Sequence, residues 1–311
     1  MAQGEFLRIL VSDAVSGEVI KLLESSGVEF EYKPEVTPQA LLSAIGNFDA
    51  LIVRSRTKVT KDVISAAPQL KVIGRAGVGV DNIDLEAAKA RKITILNTPN
   101  ALTNAVAEFT LGLMIGLARK IPAADASTKS GKWEKSKFLG SELKGKTYGT
   151  IGIGKIGQRV AELASAFGMK IVANDVIPIP EELVKRLDIR VSTQEEVFSL
   201  SDFVDIHVPL TPETENLANY DKLRTMKKSA FLINTSRGKV VNEKDLYRAL
   251  NEKIIAGAAL DVYDVEPPIS LDLLKLDNVI ATPHVAGQTA EAQSIAGVQI
   301  VELVLKALNS P

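Results

Sequence analysis

From residue 7 onward, short runs of β-branched and apolar residues alternate with segments whose apolar positions recur at helical spacing. Strands are predicted over 7–11, 28–32, 50–53, 70–73 and 93–96, with helices over 18–24, 38–45, 61–66 and 85–91 between them. Parallel neighbours need crossover connections, and strands buried on both faces read as continuous apolar runs. The alternation therefore predicts a parallel sheet covered by helices on both sides. A long apolar helix over 101–120 and a polar stretch over 129–146 follow, the latter holding the single tryptophan, Trp133. The alternation then resumes with strands over 147–151, 170–174, 203–208, 230–234, 255–261 and 279–282 and helices over 156–167, 193–200 and 243–251. Thr193 and Glu196 have the spacing of a capping box, which marks a helix start. A final helix is predicted over 290–308, where Ile295, Val298, Val301, Val304 and Leu308 keep largely helical spacing. The expected fold class is α/β, with two doubly wound parallel sheets.

Composition narrows the function. A chain of 311 residues fits about two domains at roughly 100–200 residues each. The 37 Lys and Arg nearly cancel 38 Asp and Glu, so no field draws in polyanions and nucleic acid is not an expected partner. The longest apolar run, 109–118, is far short of the ~20 residues that span a bilayer, so no membrane partner is expected. Glu5, Arg8 and Asp13 interrupt the place where a signal peptide needs an apolar core, and a cytoplasmic protein is expected. There is no cysteine, which excludes disulfides, thiolate metal sites and a cysteine nucleophile, and no metal is expected. Only two histidines, His207 and His284, are available as proton shuttles near neutral pH.

The sequence Gly152-Ile153-Gly154-Lys155-Ile156-Gly157 follows a predicted strand and opens a predicted helix. This is the arrangement that binds a dinucleotide: the first glycine turns tightly, the second lets a pyrophosphate approach, and the third packs helix on strand. Asp175 ends the next strand 18 residues after Gly157, about where a carboxylate holds the adenosine ribose. It would repel a 2′-phosphate, so NAD is the expected cofactor rather than NADP. Three further segments lie at predicted strand ends: Arg237 after Asn234-Thr235-Ser236, the acidic run 261–268 containing Glu266, and His284 after Thr282-Pro283. Hydride transfer from a secondary alcohol needs a base for the hydroxyl proton and a cation for a neighbouring carboxylate, and an anion beside the base fixes its tautomer. Arginine, glutamate and histidine supply these three roles. His207 is the competing base; it reads either as lining the nicotinamide side of a cofactor or as a structural histidine.

The chain resembles the D-isomer-specific 2-hydroxyacid dehydrogenases along nearly its whole length. The resemblance is carried by Val53-Arg54-Ser55-Arg56-Thr57-Lys58-Val59, by residues 74–82, by Asn97-Thr98-Pro99-Asn100, by Gly131-Lys132-Trp133-Glu134, by the glycine loop and by the Arg237, Glu266 and His284 segments. It implies a flavodoxin-like substrate domain, 1–98 plus 286–311, whose sheet is completed by the chain's end, with a Rossmann NAD-binding domain, 99–285, inserted into it. It implies His284 as acid/base, Glu266 as its partner and Arg237 as the substrate clamp. Implied cofactor contacts are Val78, Gly152, Gly154, Lys155, Ile156, Gly157, Asp175, His207, Val208, Pro209, Thr235, Ser236, Asp261, Ala286 and Gly287. Implied substrate contacts are Arg54, Ser55, Gly77, Val78, Arg237 and His284, the basic Arg54 suiting an anionic group. Val285-Ala286-Gly287-Gln288 after the histidine and Thr103 depart from the commonest patterns.

The activity this implies is NAD-dependent oxidation of a phosphorylated D-2-hydroxy acid, D-3-phosphoglycerate, to 3-phosphohydroxypyruvate, the first step of serine synthesis from that compound. The alternatives are a glyoxylate or hydroxypyruvate reductase and a non-catalytic NADH-sensing scaffold. A homodimer built through 101–120 and 129–146, shielding Trp133, is expected. Only 27 residues (311 − 284) follow His284, so insensitivity to L-serine is expected.

Overall fold

The computed structural model describes residues 7–269 and 271–309; Glu5, used above against a signal peptide, lies outside them. The chain divides into two compact units, one formed by residues up to Leu102 together with those from Gly287, the other by Thr103–Ala286.

In the first unit, strands β1 (Arg8–Val11), β2 (Glu29–Tyr32), β3 (Ala50–Val53), β4 (Val72–Arg75) and β5 (Thr94–Asn97) alternate with helices α1 (Gly17–Ser25), α2 (Pro38–Ala44), α3 (Lys61–Ser65) and α4 (Leu85–Ala90). All pairings are parallel in the order β2-β1-β3-β4-β5. Thr37, Thr60 and Asp84 each accept a first-turn amide, which fixes where α2, α3 and α4 begin. The sheet is complete by Asn97. What the chain's end adds is a helix, Ala290–Leu308, and not the strand that completing the sheet would require. Gly74 on β4 makes room for it, because a Cβ there would lie 2.6 Å from Val304 and 2.9 Å from Ile300. Overpacking of that kind costs about 1–3 kcal/mol.

In the second unit, α5 (Thr103–Arg119) and α6 (Ile121–Lys129) precede β6 (Thr147–Ile151), α7 (Lys155–Ala166), β7 (Lys170–Asn174), α8 (Glu181–Leu187), β8 (Ile189–Val191) and α9 (Gln194–Leu200). The second half runs β9 (Phe203–Ile206), α10 (Tyr220–Leu223), β10 (Phe231–Asn234), α11 (Glu243–Asn251), β11 (Gly257–Leu260) and β12 (Val279–Ala281); the terminal helix Ala290–Leu308 is α12. The parallel sheet has the order β12-β11-β10-β9-β6-β7-β8. Apolar clusters bury both of its faces, one under α9, α10 and α11 and the other under α5, α7 and α8. The capping box is present: Thr193 Oγ1 accepts from Glu196 N and Glu196 Oε2 from Thr193 N, each at 3.2 Å. Strand order reverses between β6 and β9, and in open α/β sheets the crevice at such a reversal is where ligands bind.

Between the helix predicted over 101–120 and the polar stretch predicted over 129–146 the structure adds a separate helix. Lys120 turns left-handed (φ 53°), α5 ends, and α6 starts with Pro122 in its first turn. None of the α6 side chains is buried, which is why no apolar period announced it.

Candidate active site

The glycine loop follows β6 at the strand-order reversal. Gly152 takes a positive φ of 89°, and a Cβ on it would lie 2.4 Å from the His207 carbonyl oxygen; a Cβ on Gly157 would lie 2.3 Å from the Gly152 carbonyl. Gly154 differs: a Cβ there would meet nothing within 4 Å. It is the N-cap of α7 without a side-chain cap, so the positive end of that helix opens onto clear space. A tight first turn, an open second glycine and a packed third are what a pyrophosphate requires, and the residues present fit a dinucleotide. Lys155 is exposed and Ile156 half-buried in the first turn of α7. Asp175, after β7, accepts the Ile153 amide at 2.7 Å and the Ile177 amide at 2.9 Å, which ties its carboxylate to the glycine loop.

Each remaining strand of this half ends in a polar group. Beyond β9, His207 has a side chain only 3% exposed, whereas Val208 is half-buried and Pro209 exposed. Beyond β10, buried Asn234 organises the arginine loop: its Nδ2 donates to the Arg237 carbonyl (2.8 Å), and its Oδ1 accepts from Ser236 N (3.0 Å) and Ser236 Oγ (2.8 Å). Thr235 Oγ1 lies 3.1 Å from Thr110 Oγ1 on α5. A Cβ on Gly238 would sit 1.9 Å from the Tyr263 backbone, so glycine lets the Arg237 loop press against the turn that leads to Glu266.

Beyond β11 and β12 two segments are locked together. Asp261 is fully buried; Oδ1 accepts from Thr282 Oγ1 (2.6 Å) and Val285 N (2.9 Å), and Oδ2 from Ala286 N (2.8 Å). The resemblance implied a cofactor contact for this residue; within the protein its carboxylate oxygens accept from Thr282 and from the loop that carries His284. Tyr263 adds a hydroxyl donated to the Thr282 carbonyl at 2.9 Å. Burial, and then the nearby Asp261 charge, push the Tyr263 phenol up to about 12. Within this frame His284 adopts a left-handed φ of 54°, a strain of about 1–3 kcal/mol that persists only where the surroundings enforce it. Its Nδ1 lies 2.8 Å from Glu266 Oε2, while Glu266 Oε1 accepts the Tyr263 amide at 3.2 Å. The pair is open to solvent, with side chains 47% and 39% exposed. Asn234, Tyr263 and Thr282 were not singled out from the sequence; their only signal there is a polar residue at or near the end of an apolar strand.

Arg54, Ser55, Gly77, Val78 and Gly287 belong to the first unit. There Arg54 and Arg56 border a pocket of about 450 Å³ together with Asp13, Tyr32, Glu35 and Gln288. Asp13 accepts the Arg54 amide at 2.5 Å and pairs with the Arg56 guanidinium at 3.0 Å. Arg54 extends Nη1 to the Ala14 carbonyl and Nη2 to Gln288 Oε1. Burial lowers its pKa, against the opposing pull of Asp13. Gly77, at φ 138°, donates its amide to Thr98 Oγ1 at 2.7 Å, and the Val78 carbonyl accepts from Asn97. Among the described residues no group of three or more acidic or histidine side chains could hold a metal, and no helix is long and apolar enough to cross a membrane.

Residues 111–286 match the family model for the NAD binding domain of D-isomer specific 2-hydroxyacid dehydrogenases. The chain is 48% identical over 304 residues to a D-3-phosphoglycerate dehydrogenase of Methanocaldococcus jannaschii, covering 97% of this chain and 58% of that protein. It is 44% identical to a hydroxypyruvate reductase of Thermotoga maritima, covering 97% and 98% of the two chains. A D-lactate dehydrogenase of Aquifex aeolicus, solved with NAD and lactic acid, superposes with a TM-score of 0.83 at 30% identity over 97% of this chain and 95% of that one. This chain thus spans little more than half the length of the D-3-phosphoglycerate dehydrogenases it matches, and nearly all of the reductase. Glycine loop, strand-end residues and matched length agree: the chain belongs to the D-isomer-specific 2-hydroxyacid dehydrogenase family.

Proposed function

We propose that the protein oxidises D-3-phosphoglycerate to 3-phosphohydroxypyruvate with NAD. The observation that carries this reading is the His284–Glu266 contact at 2.8 Å, exposed at a strand end, in a chain 48% identical to a D-3-phosphoglycerate dehydrogenase. Glu266 accepts the Nδ1 proton, which leaves the Nε2 lone pair as the acceptor. His284 Nε2 takes the C2 hydroxyl proton while the C2 hydrogen leaves with its electron pair, and a carbonyl remains at C2. Arg237 holds the substrate carboxylate through its planar fork. When bound, NAD supplies the acceptor for the hydride. Gly152, Gly154, Gly157, Lys155 and Ile156 would hold its pyrophosphate, and Asp175 its adenosine ribose. At the pocket in the first unit, Arg54 and Arg56 would supply the cations for an anionic group, beside the carboxylates of Asp13 and Glu35 that also line it.

The test is NADH formation from D-3-phosphoglycerate measured beside D-glycerate, with NADP as a parallel cofactor. A kcat/KM highest for D-3-phosphoglycerate with NAD is expected; equal values for the two cofactors would remove Asp175 as the discriminating group. Hydroxypyruvate reduction is the second reading, favoured by one observation, the full-length match to the Thermotoga reductase. Faster NADH consumption with hydroxypyruvate than with 3-phosphohydroxypyruvate would select it.

The same reading includes a cytoplasmic homodimer. The absence of cysteine fits a reducing compartment. The outward apolar groups around α6 support pairing, since Trp133 is 78% and Leu139 82% exposed and closed two-fold dimers are the commonest oligomers. Light scattering should give twice the 33.4 kDa chain mass; the single mass would end this part of the proposal.

A further inference from the structure

His207 heads a buried polar column that the chemistry above does not use. Strand alternation places Phe203, Asp205 and His207 on one face of the β9 segment, and register sets Tyr148 of β6 beside Phe203 and Thr150 beside Asp205. In the row through Asp205 the neighbours across the sheet are Ile233, Ala259 and Ile280 on one side and Thr150 and Ala173 on the other. Asp205 is the one ionisable group among them, and it is fully buried. A carboxylate in such a row is costly unless its oxygens are partnered. Tyr148, one row below and also fully buried, donates its hydroxyl to Asp205 Oδ2 at 2.7 Å. His207, one row above, brings Nε2 to 2.6 Å from the same oxygen. That approach has the distance but not the angle of a hydrogen bond, and Asp205 Oδ1 has no hydrogen-bond partner among the described residues. Burial, followed by the Asp205 charge, holds the Tyr148 phenol well above its ordinary pKa, so it stays a donor.

An apolar trio would fill this space without these penalties, so the fold alone does not call for it. The upper end of the column, however, is the rim where the glycine loop lies. His207 donates its amide to the Ile151 carbonyl at 2.8 Å, and its own carbonyl closes on Gly152 so tightly that a Cβ would sit 2.4 Å away. We propose that Asp205, held by Tyr148, is a positioning residue that fixes His207 and, through the His207–Gly152 backbone contact, sets the glycine loop for the dinucleotide. A shifted imidazole moves the strand end, and the strand end moves the loop. This rests on the dinucleotide-binding part of the proposed function and not on the identity of the substrate.

The experiment compares Tyr148→Phe, Asp205→Asn and Asp205→Leu, with Ile233→Val as a packing control from the same row. NADH affinity is read by fluorescence titration without substrate, KM for NAD and kcat by turnover, and stability by thermal melting. Tyr148→Phe should weaken NADH binding by about 2–10-fold, the scale of one hydrogen bond. Asp205→Leu should weaken it more, and Asp205→Asn, which keeps an acceptor for Tyr148, should recover part of that loss. The losses should fall on the KM for NAD more than on kcat, and Ile233→Val should melt earlier without losing NADH affinity. Wild-type affinity in folded Tyr148→Phe and Asp205→Asn would overturn the proposal, even if Asp205→Leu does not fold. A loss equal to that of Ile233→Val at matched stability would overturn it as well. If the wild-type protein binds NADH but does not oxidise D-3-phosphoglycerate, the substrate reading fails while the column is still decided by the titration.

Discussion

The second unit holds two imidazole–carboxylate pairs, built at the ends of β12 and β9, and they are opposites in every respect but chemistry. His284 and Glu266 stand on loops with side chains 47% and 39% exposed, whereas His207 and Asp205 have side chains only 3% and 0% exposed. The exposed pair has hydrogen-bond geometry at 2.8 Å. The buried one is closer, at 2.6 Å, but off axis. A group that must take a proton from a substrate needs access and a partner for its other ring nitrogen, and the exposed pair offers both. A group that must hold a strand end in place needs burial and neighbours, which only the other has. The sequence already favours His284 over His207 as the base, and under the proposed function the difference in exposure favours the same division of tasks.

Exchanging the two histidines breaks this contrast most severely. His284→Asn should lower kcat by ~10²–10⁴, the usual range for a lost acid/base, while NADH binding persists. His207→Asn should act chiefly on the KM for NAD; a larger kcat loss there than in His284→Asn would reverse the assignment. Asp261→Asn sharpens the contrast from the loop side. An amide oxygen can replace only one of the two carboxylate oxygens that hold Thr282, Val285 and Ala286. Charge-assisted bonds of this kind make a kcat loss of about 10–100-fold the expected outcome, readable beside an unchanged melting profile of the rest of the unit.

The smallest effect concerns alkaline stability. The Tyr263 phenol titrates near its ordinary value of 10.0 in the unfolded chain and near about 12 when folded. Its folded pKa is the higher one, so the contribution is fully present below pH 10 and is lost as pH rises from 10 toward 12. Melting temperature should therefore fall more steeply over that window in the wild type than in Tyr263→Phe, with Tyr148 contributing equally to both. Parallel curves would mean that the hydroxyl tethering Thr282 is not protected from ionisation.

What could be read from the chain beforehand follows a physical line. Continuous apolar strands and capped helices announce themselves, and β3, β6, β7, α11 and α12 begin and end where their patterns do. Elements that bury little do not: α6 has no buried side chain, and the short α8, β8 and α10 carry too few apolar positions to show a period. At the site, glycine spacing foretold a loop with an open second position, and Glu266 and His284, 18 residues apart, meet as a pair. The Asp261 clamp and the Tyr148–Asp205–His207 column were not legible. Each depends on which strands become neighbours and at what register, and single-strand patterns are silent on both.

The central claim is that His284 takes the hydroxyl proton while the C2 hydrogen passes directly to the nicotinamide. D-3-phosphoglycerate deuterated at C2, given with NAD to the wild-type protein and to His284→Asn, tests it most directly. The account requires deuterium on the reduced nicotinamide from the wild type, and the same labelled product from the variant at a rate lower by ~10²–10⁴. Deuterium released to water, or a variant that labels the cofactor at the wild-type rate, would contradict it.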